Sequence, residues 1–547
     1  MSLCFANNAA MAPSQQTKSL AKVDLYRSIA VLVCLVGIFA FAIWQRFSLP
    51  LVPISDPDTW GYLRPALTWL SGEGMQQTHA RSLAYPAFLL LPLAVHGTFD
   101  SIVVWQHVCG LLAGLAWWWI WSQFSSLLPT GIVRQWLAPL IGLIALFAFL
   151  CSAQRVVDEL RLRPEAVFPL FALLQLGSLI AWLSARCTAK SISREAFWSG
   201  AAVFLALLSY SFKPSWGLAI LLPPTVIALG LLSRQTARIL PTLGAVLVAV
   251  LCFVSLPSLL DWRKEAGAGV FLPMLLVGVH ADIIQRDLEN RVSQGKLSTE
   301  ETAFALHFSQ RVAESKADRG FYEKLGFDPD YLMFHSDALA PLPGPTDADS
   351  RKSAYFKLFL SSMAARPMDF VRKWATQLGA VYFQGPKSLF RESVVLALSY
   401  QSSLGTLPPA TMPLPQPIAS TYENLRIGDT IPRVEDKVRL APSGTGDLGR
   451  LGAFWLFPAS IGILGLATYA AFMRIFRKQR PSWGIAAWAA SFVVLSALLS
   501  NLTVAFIHSF DIVRYLHLLA PLNWLVIGSA FVFAAFFAQH LLHKKHE

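Results

Sequence analysis

The chain has 547 residues, 54% of them hydrophobic and only 14% charged, with a formal net charge of +12. Soluble domains carry about 25% charged residues, so the composition excludes an ordinary soluble enzyme and describes a surface that largely faces lipid. The segment 261–450 is close to neutral, so the positive excess falls mainly in short loops, which reads as membrane topology and not as nucleic-acid binding.

Residues 1–27 are polar and carry Lys18, Lys22 and Arg27 ahead of a full-length apolar stretch, which reads as a cytoplasmic tail before an uncleaved anchor. A membrane helix needs about 20 apolar residues. Such stretches occur at 28–47, 101–122, 134–152, 164–185, 196–212, 216–233, 237–260, 451–473, 482–507 and 515–541. Segment 84–97 is apolar but too short, and reads as an interfacial or re-entrant helix. With it uncounted, Arg134, Arg186, Lys190, Arg194, Arg234, Arg238, the Arg474–Arg480 cluster, Lys544 and Lys545 all fall on the side of the N-terminus, as the positive-inside rule asks. Both termini are therefore expected in the cytoplasm. Trp117, Trp118 and Trp119 lie toward the inner end of their span and read as an aromatic belt.

The fold class expected is an all-α polytopic membrane protein of about ten transmembrane helices, with an interfacial helix in the first outer loop and a large, mainly helical outer region. Its parts are the tail 1–27, an N-terminal membrane domain 28–260 with its first outer loop at 48–100, the outer region 261–450, and C-terminal membrane helices with a short tail at 451–547. Within 261–450, Ile283 to Arg311 and Lys352 to Tyr382 have helical spacing, while the Pro/Gly-rich stretches 340–346 and 407–417 read as loops. Segment 267–279 is short and apolar, and reads as buried or interfacial. Six cysteines lie outside 261–450 with no C-x-x-C pair, so neither a disulfide framework nor a zinc site is supported.

On this topology the outer loops bring ionisable residues to one membrane face. The first contributes Asp56, Asp58, Tyr62, Arg81 and Tyr85, the second Arg163 and Glu165, the turn after the fifth span Lys213, and the last turn Arg514 and Tyr515. Arginine and lysine suit a phosphate-bearing lipid, arginine through forked contacts to the oxygens. A carboxylate can serve as a base for a hydroxyl or amine acceptor. Each residue also has a structural reading: Asp58 as a helix cap, Asp56 as the start of a turn, Arg81 and Tyr85 as interfacial anchors, Arg163 and Glu165 as a mutual pair, Lys213 as a snorkelling side chain, and Arg514 in an ion network with His508, Asp511 and His517.

The motifs, taken in order, resemble those of the GT-C glycosyltransferases, near the protein O-mannosyltransferases and the aminoarabinose transferases of lipid A. Asp58 and Tyr62 stand four apart just after the first span, and Arg81-Ser82-Leu83-Ala84-Tyr85-Pro86 precedes the short apolar helix. Arg163-Pro164-Glu165, Lys213-Pro214, and Arg514 and Tyr515 followed by Pro521 complete the series. Thr59 stands where that family often has Glu, and Ser82-Leu83 replaces two prolines. The resemblance covers about 1–260 and 451–547.

It implies transfer of a sugar from a polyprenyl-phosphate-linked donor to a lipid, glycan or protein acceptor at the outer (periplasmic) face of a membrane, in the setting of a bacterial inner membrane. Asp58 would be the base, with Asp56 beside it. Arg514, Lys213 and Arg81 would hold the donor phosphate, and Tyr62, Tyr85, Arg163, Glu165 and Tyr515 would bind substrate. Asp56 beside Asp58 permits a divalent cation such as Mg or Mn without establishing one. Two other readings stand beside this one: a transporter or flippase of a lipid-linked or anionic solute, and an inactive GT-C-like envelope scaffold. A transporter should carry ionisable groups near the bilayer midplane, whereas the polar groups here cluster at the outer ends of the spans.

Overall fold

The computed structural model describes residues 15–188, 191–232, 236–265, 268–320, 322–335, 337–339, 347–383, 393–394, 396–429, 438–439, 445–512 and 514–544. The expected loop at 340–346 lies outside them. The described residues are helical almost throughout. Nine helices among the described residues are long and apolar enough to cross a membrane: Leu25–Phe47, Asp100–Leu127, Val133–Leu150, Phe168–Cys187, Ile192–Phe212, Ala237–Leu259, Phe454–Phe476, Gly484–Ile507 and Ala520–Leu542. The centre of the bundle is set by Phe168–Cys187 and Gly484–Ile507, whose apolar windows are 72% and 67% buried. Leu25–Phe47 and Ala237–Leu259 are 11% buried and present their side chains outward, as a lipid-facing helix does.

The expected span 216–233 is not a continuous helix. It runs as 3-10 turns at Pro214–Trp216 and Ala219–Leu221 followed by a ten-residue α-helix, Leu222–Leu231. Prolines explain the break: Pro214 opens the first turn, and Pro223 and Pro224 lack the N–H an α-helix interior needs and sit in a first turn instead. The backbone groups left over are met by the central helix: Leu218 N–H donates to Thr503 Oγ1 (2.9 Å), and Ser500 Oγ donates to the Ser215 carbonyl (3.1 Å). Irregular backbone at membrane depth persists only where protein satisfies it in this way. The segment still traverses the bundle. Lys213 lies at the end where the long loops gather, and the Gly230 carbonyl accepts from Arg186 at the opposite end. There Glu195, fully buried, also pairs with Arg186 and with Arg238 (2.6 Å).

The short apolar helix Ala84–His96 remains at the loop end, closed by Gly97 in the left-handed region at φ 70°. Trp117 is not part of an exposed belt. It is fully buried, stacks on Trp121 (5.5 Å) and donates to the Pro521 carbonyl (2.9 Å).

The region after Leu259 folds onto the loop end. Trp262–Arg263 pairs in parallel with Met75–Gln76 of the first loop. Helices Phe271–Val279, Ala281–Ser293, Thr299–Ala317, Ala348–Ala365 and Pro367–Tyr382 enclose a core of Ile284, Phe308, Leu332, Phe359 and Phe370, which closes on Phe506 and Ile507 at the end of a span. The first two bend by 76° at His280. Further along, Tyr400 donates to the Val52 carbonyl (2.9 Å) and Ser55 donates to the Ser403 carbonyl (3.2 Å). The loop region thus shapes the loop 48–100 directly.

Candidate functional site

The helix Thr59–Leu70 begins just after two aspartates, and they divide the work between them. Asp56 makes the turn: its Oδ1 accepts from Asp58 N–H (2.9 Å), and its own N–H donates to Thr59 Oγ1 (2.9 Å). A short acidic side chain closes a turn on the backbone two residues ahead in this way. Asp58 stands at the N-cap position but its carboxylate caps nothing. It is aimed outward at guanidinium groups instead: Oδ1 accepts from Arg81 (2.6 Å), and Oδ2 accepts from Arg514 (2.9 Å) with Arg163 at 3.5 Å. Arg163 is also hydrogen-bonded to Asp56.

Arg81 is placed by an unusual turn. His79 and Ala80 both adopt positive φ, 50° and 52°, which side-chain-bearing residues rarely do. The turn is pinned from 261–450, where Glu265 Oε2 accepts from Ala80 N–H (3.0 Å), and Gln77 Nε2 donates to the Arg81 carbonyl (2.8 Å). Gly61 makes room on the helix; a Cβ there would sit 3.1 Å from Arg81 Cγ. Arg81 lies over the Tyr62 ring (4.9 Å), and Tyr62 packs edge-on against Tyr85 (5.3 Å). Tyr85 is fully buried and donates to Gln106 (2.7 Å), so it backs Tyr62 rather than facing the opening.

The second half of the site is Glu165 and Lys213. Lys213 Nζ donates to Glu165 Oε1 (2.6 Å), and Arg514 Nε lies 3.8 Å from the same oxygen. Tyr515 lies beneath both cations, 5.1 Å from Lys213 and 5.5 Å from Arg514. Asp511 faces elsewhere: it accepts from the N–H groups of Lys324 and Leu325 (3.0 and 2.9 Å), tying the loop region to the last turn. Ten residues singled out in the sequence therefore meet in one place, drawn from five separate parts of the chain. Arg163 pairs with the aspartates rather than with Glu165.

Four cations, Arg81, Arg163, Lys213 and Arg514, face three carboxylates, Asp56, Asp58 and Glu165, leaving one positive charge in excess. Burial raises the Asp58 carboxyl, but Arg81, Arg163 and Lys213 outweigh it and hold the group below its ordinary value. Burial works the same way on Glu165, and Lys213 and Arg163 reverse it. His508, tilted against Tyr515 (5.2 Å), is pushed down to about 4 by burial and by Lys213 and Lys373, so it is neutral at neutral pH. The Asp58 side chain is about a quarter exposed (26%), so the cluster is open on that side.

The carboxylates fit a divalent cation poorly as they stand. The oxygens of Asp58 and Oδ2 of Asp56 already face guanidinium groups, which compete for the lone pairs a metal needs. No group of three or more His, Cys, Asp or Glu side chains is placed to hold a metal among the described residues.

Behind the site lies a network the sequence motifs did not reveal. Arg46 grips both oxygens of Glu159 (2.7 and 2.9 Å), His107 Nδ1 lies 2.9 Å from Glu159 Oε2, and Arg155 Nε lies 3.0 Å from Oε1. All four side chains are buried. Arg155 also donates to the carbonyls of Glu165 (2.9 Å) and Ala166, so the network holds the turn that carries Glu165. The available signal was Arg46 and His107 inside apolar spans, since ionisable groups there need partners, together with Gly110. A Cβ on Gly110 would lie 1.9 Å from Glu159 Oε1.

The fold and the site define a multi-pass α-helical membrane protein with a partly buried, net-positive ionic cluster at one end of its bundle. No family model matches the chain, and no curated protein matches it in sequence. Among solved structures it is similar to the archaeal oligosaccharyltransferase AglB from Archaeoglobus fulgidus in complex with an inhibitory peptide and a dolichol-phosphate. That match has 13% identity over 95% of this chain and 52% of the other, with a TM-score of 0.39. It is also similar to ArnT from Cupriavidus metallidurans bound to undecaprenyl phosphate, at 12% identity over 86% and 77% of the two chains, with a TM-score of 0.30. The chain spans about half the length of the oligosaccharyltransferase it matches (52%). These superpositions are too loose to carry residues from one chain to another.

Proposed function

We propose that the protein is an integral membrane glycosyltransferase that moves a sugar from a polyprenyl-phosphate-linked donor to an acceptor at the outer face of its membrane. The observation that carries this reading is the single positive charge in excess at the Arg81–Asp58–Arg514–Glu165–Lys213 cluster. A phosphodiester brings one negative charge and would complete the balance. Arg81 and Arg514 offer forked donors for its oxygens, and Lys213 adds a point charge. The site's position at the mouth of the bundle suits a donor whose phosphate sits at headgroup depth and whose chain stays in lipid.

Phosphate binding and base activation are coupled here. In the free protein, Arg81 and Arg514 hydrogen-bond Asp58, and Arg81, with Arg163 and Lys213, depresses its proton affinity. When a phosphate draws these guanidinium groups away, the Asp58 carboxylate loses its partners and its proton affinity rises. The acceptor hydroxyl or amine then attacks the anomeric carbon, its proton passes to Asp58, and the carbon–oxygen bond to phosphate breaks. The phosphate leaves with the bonding pair, held by Arg514, Arg81 and Lys213, and the configuration inverts. Cations fixed where charge develops are the main source of acceleration in such a step.

The test is turnover by purified protein. A panel of polyprenyl-phosphate sugars is offered with a membrane-lipid extract as acceptor, donor loss is followed by mass spectrometry, and Asp58→Asn is run alongside. Turnover that collapses in the variant supports both the transferase and its base. Turnover that survives moves the base elsewhere. No turnover, with donor translocation in liposomes, replaces the reading with transport.

A further inference from the structure

The helix Pro367–Tyr382 turns an apolar stripe away from the protein. Pro367, Met368, Val371 and Ala375 are exposed on one side at helical spacing, Met368 at 69% and Val371 at 47%. Leu378 and Tyr382 continue the stripe, half-buried. A helix that faces water shows polar side chains there instead, as Thr299–Ala317 does with Glu301, Gln310 and Lys316. The opposite face of Pro367–Tyr382 is packed: Phe370 and Gln377 are buried, and Gln377 Oε1 accepts from Phe510 N–H (2.7 Å).

The depth of the helix follows from its neighbours. Trp374 packs on Phe506 (5.5 Å), next to the last residue of the span Gly484–Ile507. Two turns further on, Tyr382 Oη accepts from Asn501 Nδ2 (3.4 Å). Asn501 is six residues short of the span's end, about 9 Å along its axis. Phe383, 67% exposed, packs its ring on Phe457 (4.5 Å), inside the span Phe454–Phe476. The stripe therefore runs into a surface that spans present to lipid. Arg372 borders it near the level of the span's end, with its side chain in the open.

We propose that Pro367–Tyr382 is an interfacial helix, sunk by this stripe into the leaflet on the side of the ionic cluster, with Arg372 at the lipid phosphates. Lipid is the occupant because the stripe is continuous with lipid-facing spans and has a cation at its edge, the pattern of a helix lying at a bilayer surface. Gln377, on the packed face, holds the turn four residues before Arg514, so one helix joins the leaflet to the cluster. The inference stands whether or not the protein transfers a sugar.

The test uses the full-length protein in vesicles of phosphatidylethanolamine and phosphatidylglycerol, with a trace of phospholipid carrying a diazirine high on its acyl chain. After irradiation, mass spectrometry locates the lipid adducts. Adducts on 367–383 are expected severalfold above those on Thr299–Ala317. Met368→Ser combined with Val371→Ser should lower the yield on 367–383 severalfold and leave that on Phe454–Phe476 unchanged, with thermal unfolding reporting that the variant is folded. A wild-type yield on 367–383 no higher than on Thr299–Ala317 overturns the proposal, as does a yield the folded double variant retains. Cross-links between 367–383 of two chains in place of lipid adducts would assign the stripe to a second copy and overturn it as well.

Discussion

Asp58 Oδ2 and Arg514 Nη1 lie 2.9 Å apart although 456 positions separate the residues in the chain. The contact joins the loop after the first span to the turn before the last one, and Arg81 completes it from the other carboxylate oxygen. On the proposed reading it makes the base and the phosphate cations one unit, so substitutions on either side should change both.

For Asp58→Asn we expect turnover to fall by roughly 10²–10⁴-fold, the usual contribution of a positioned base. Binding of undecaprenyl phosphate should hold or tighten, because the substitution removes a negative charge and releases Arg81 and Arg514. Paired measurements of turnover and carrier binding check this split. Loss of binding together with turnover would make Asp58 structural.

Glu265 acts at a distance from the cluster, through the Ala80 N–H and so through the turn that presents Arg81. Glu265→Ala should raise the donor KM roughly fivefold, the equivalent of one hydrogen bond, with a smaller change in kcat. Glu265→Gln retains the acceptor oxygen and should restore most of the loss. Steady-state kinetics of the two variants decide it.

Glu159→Gln should destabilise the protein by about 3–5 kcal/mol, because it leaves Arg46 and Arg155 buried against a neutral partner. The pH dependence has a definite sign. Burial raises the Glu159 carboxyl, but Arg46 and Arg155 bring it down to about 2 from an ordinary 4.5. The folded protein thus binds fewer protons than the unfolded chain between these values. The stabilisation is fully present above about 4.5 and is lost as pH falls toward 2. Thermal unfolding in detergent across that window should show the decline in wild type and not in the variant.

Gly110→Ala tests the same network by crowding it. The added Cβ would sit 1.9 Å from Glu159 Oε1, so something must move, at a cost of about 1–3 kcal/mol. A lower unfolding temperature is expected, with reduced turnover as the Glu165 turn shifts.

Removal of divalent cations offers a separate check. Because Arg163 holds Asp56 even when phosphate draws Arg81 and Arg514 from Asp58, a cation would find no pair of free carboxylates, and turnover should be unchanged after chelation and dialysis. Activity lost on chelation and restored by Mg or Mn would show that a metal displaces the arginines in the working enzyme.

The sequence by itself determined the membrane character, the position of nearly every span and the gathering of Asp58, Arg81, Lys213 and Arg514 at one end. Apolar length and the placement of charge are properties of a linear string, and alternating traverses then dictate which loops share a face. The break in 214–231 was less legible: its prolines are plain in the sequence, but Thr503 and Ser500, which make the irregular backbone tolerable, come from another helix. Which carboxylate meets which cation was decided only by the tertiary structure. Asp56 closes the turn while Asp58 faces the arginines, Arg163 turns to the aspartates, and Arg46 finds Glu159 across 113 positions. Pairings of this kind follow from distances of a few ångströms set by helix packing, and local sequence spacing contains no record of them.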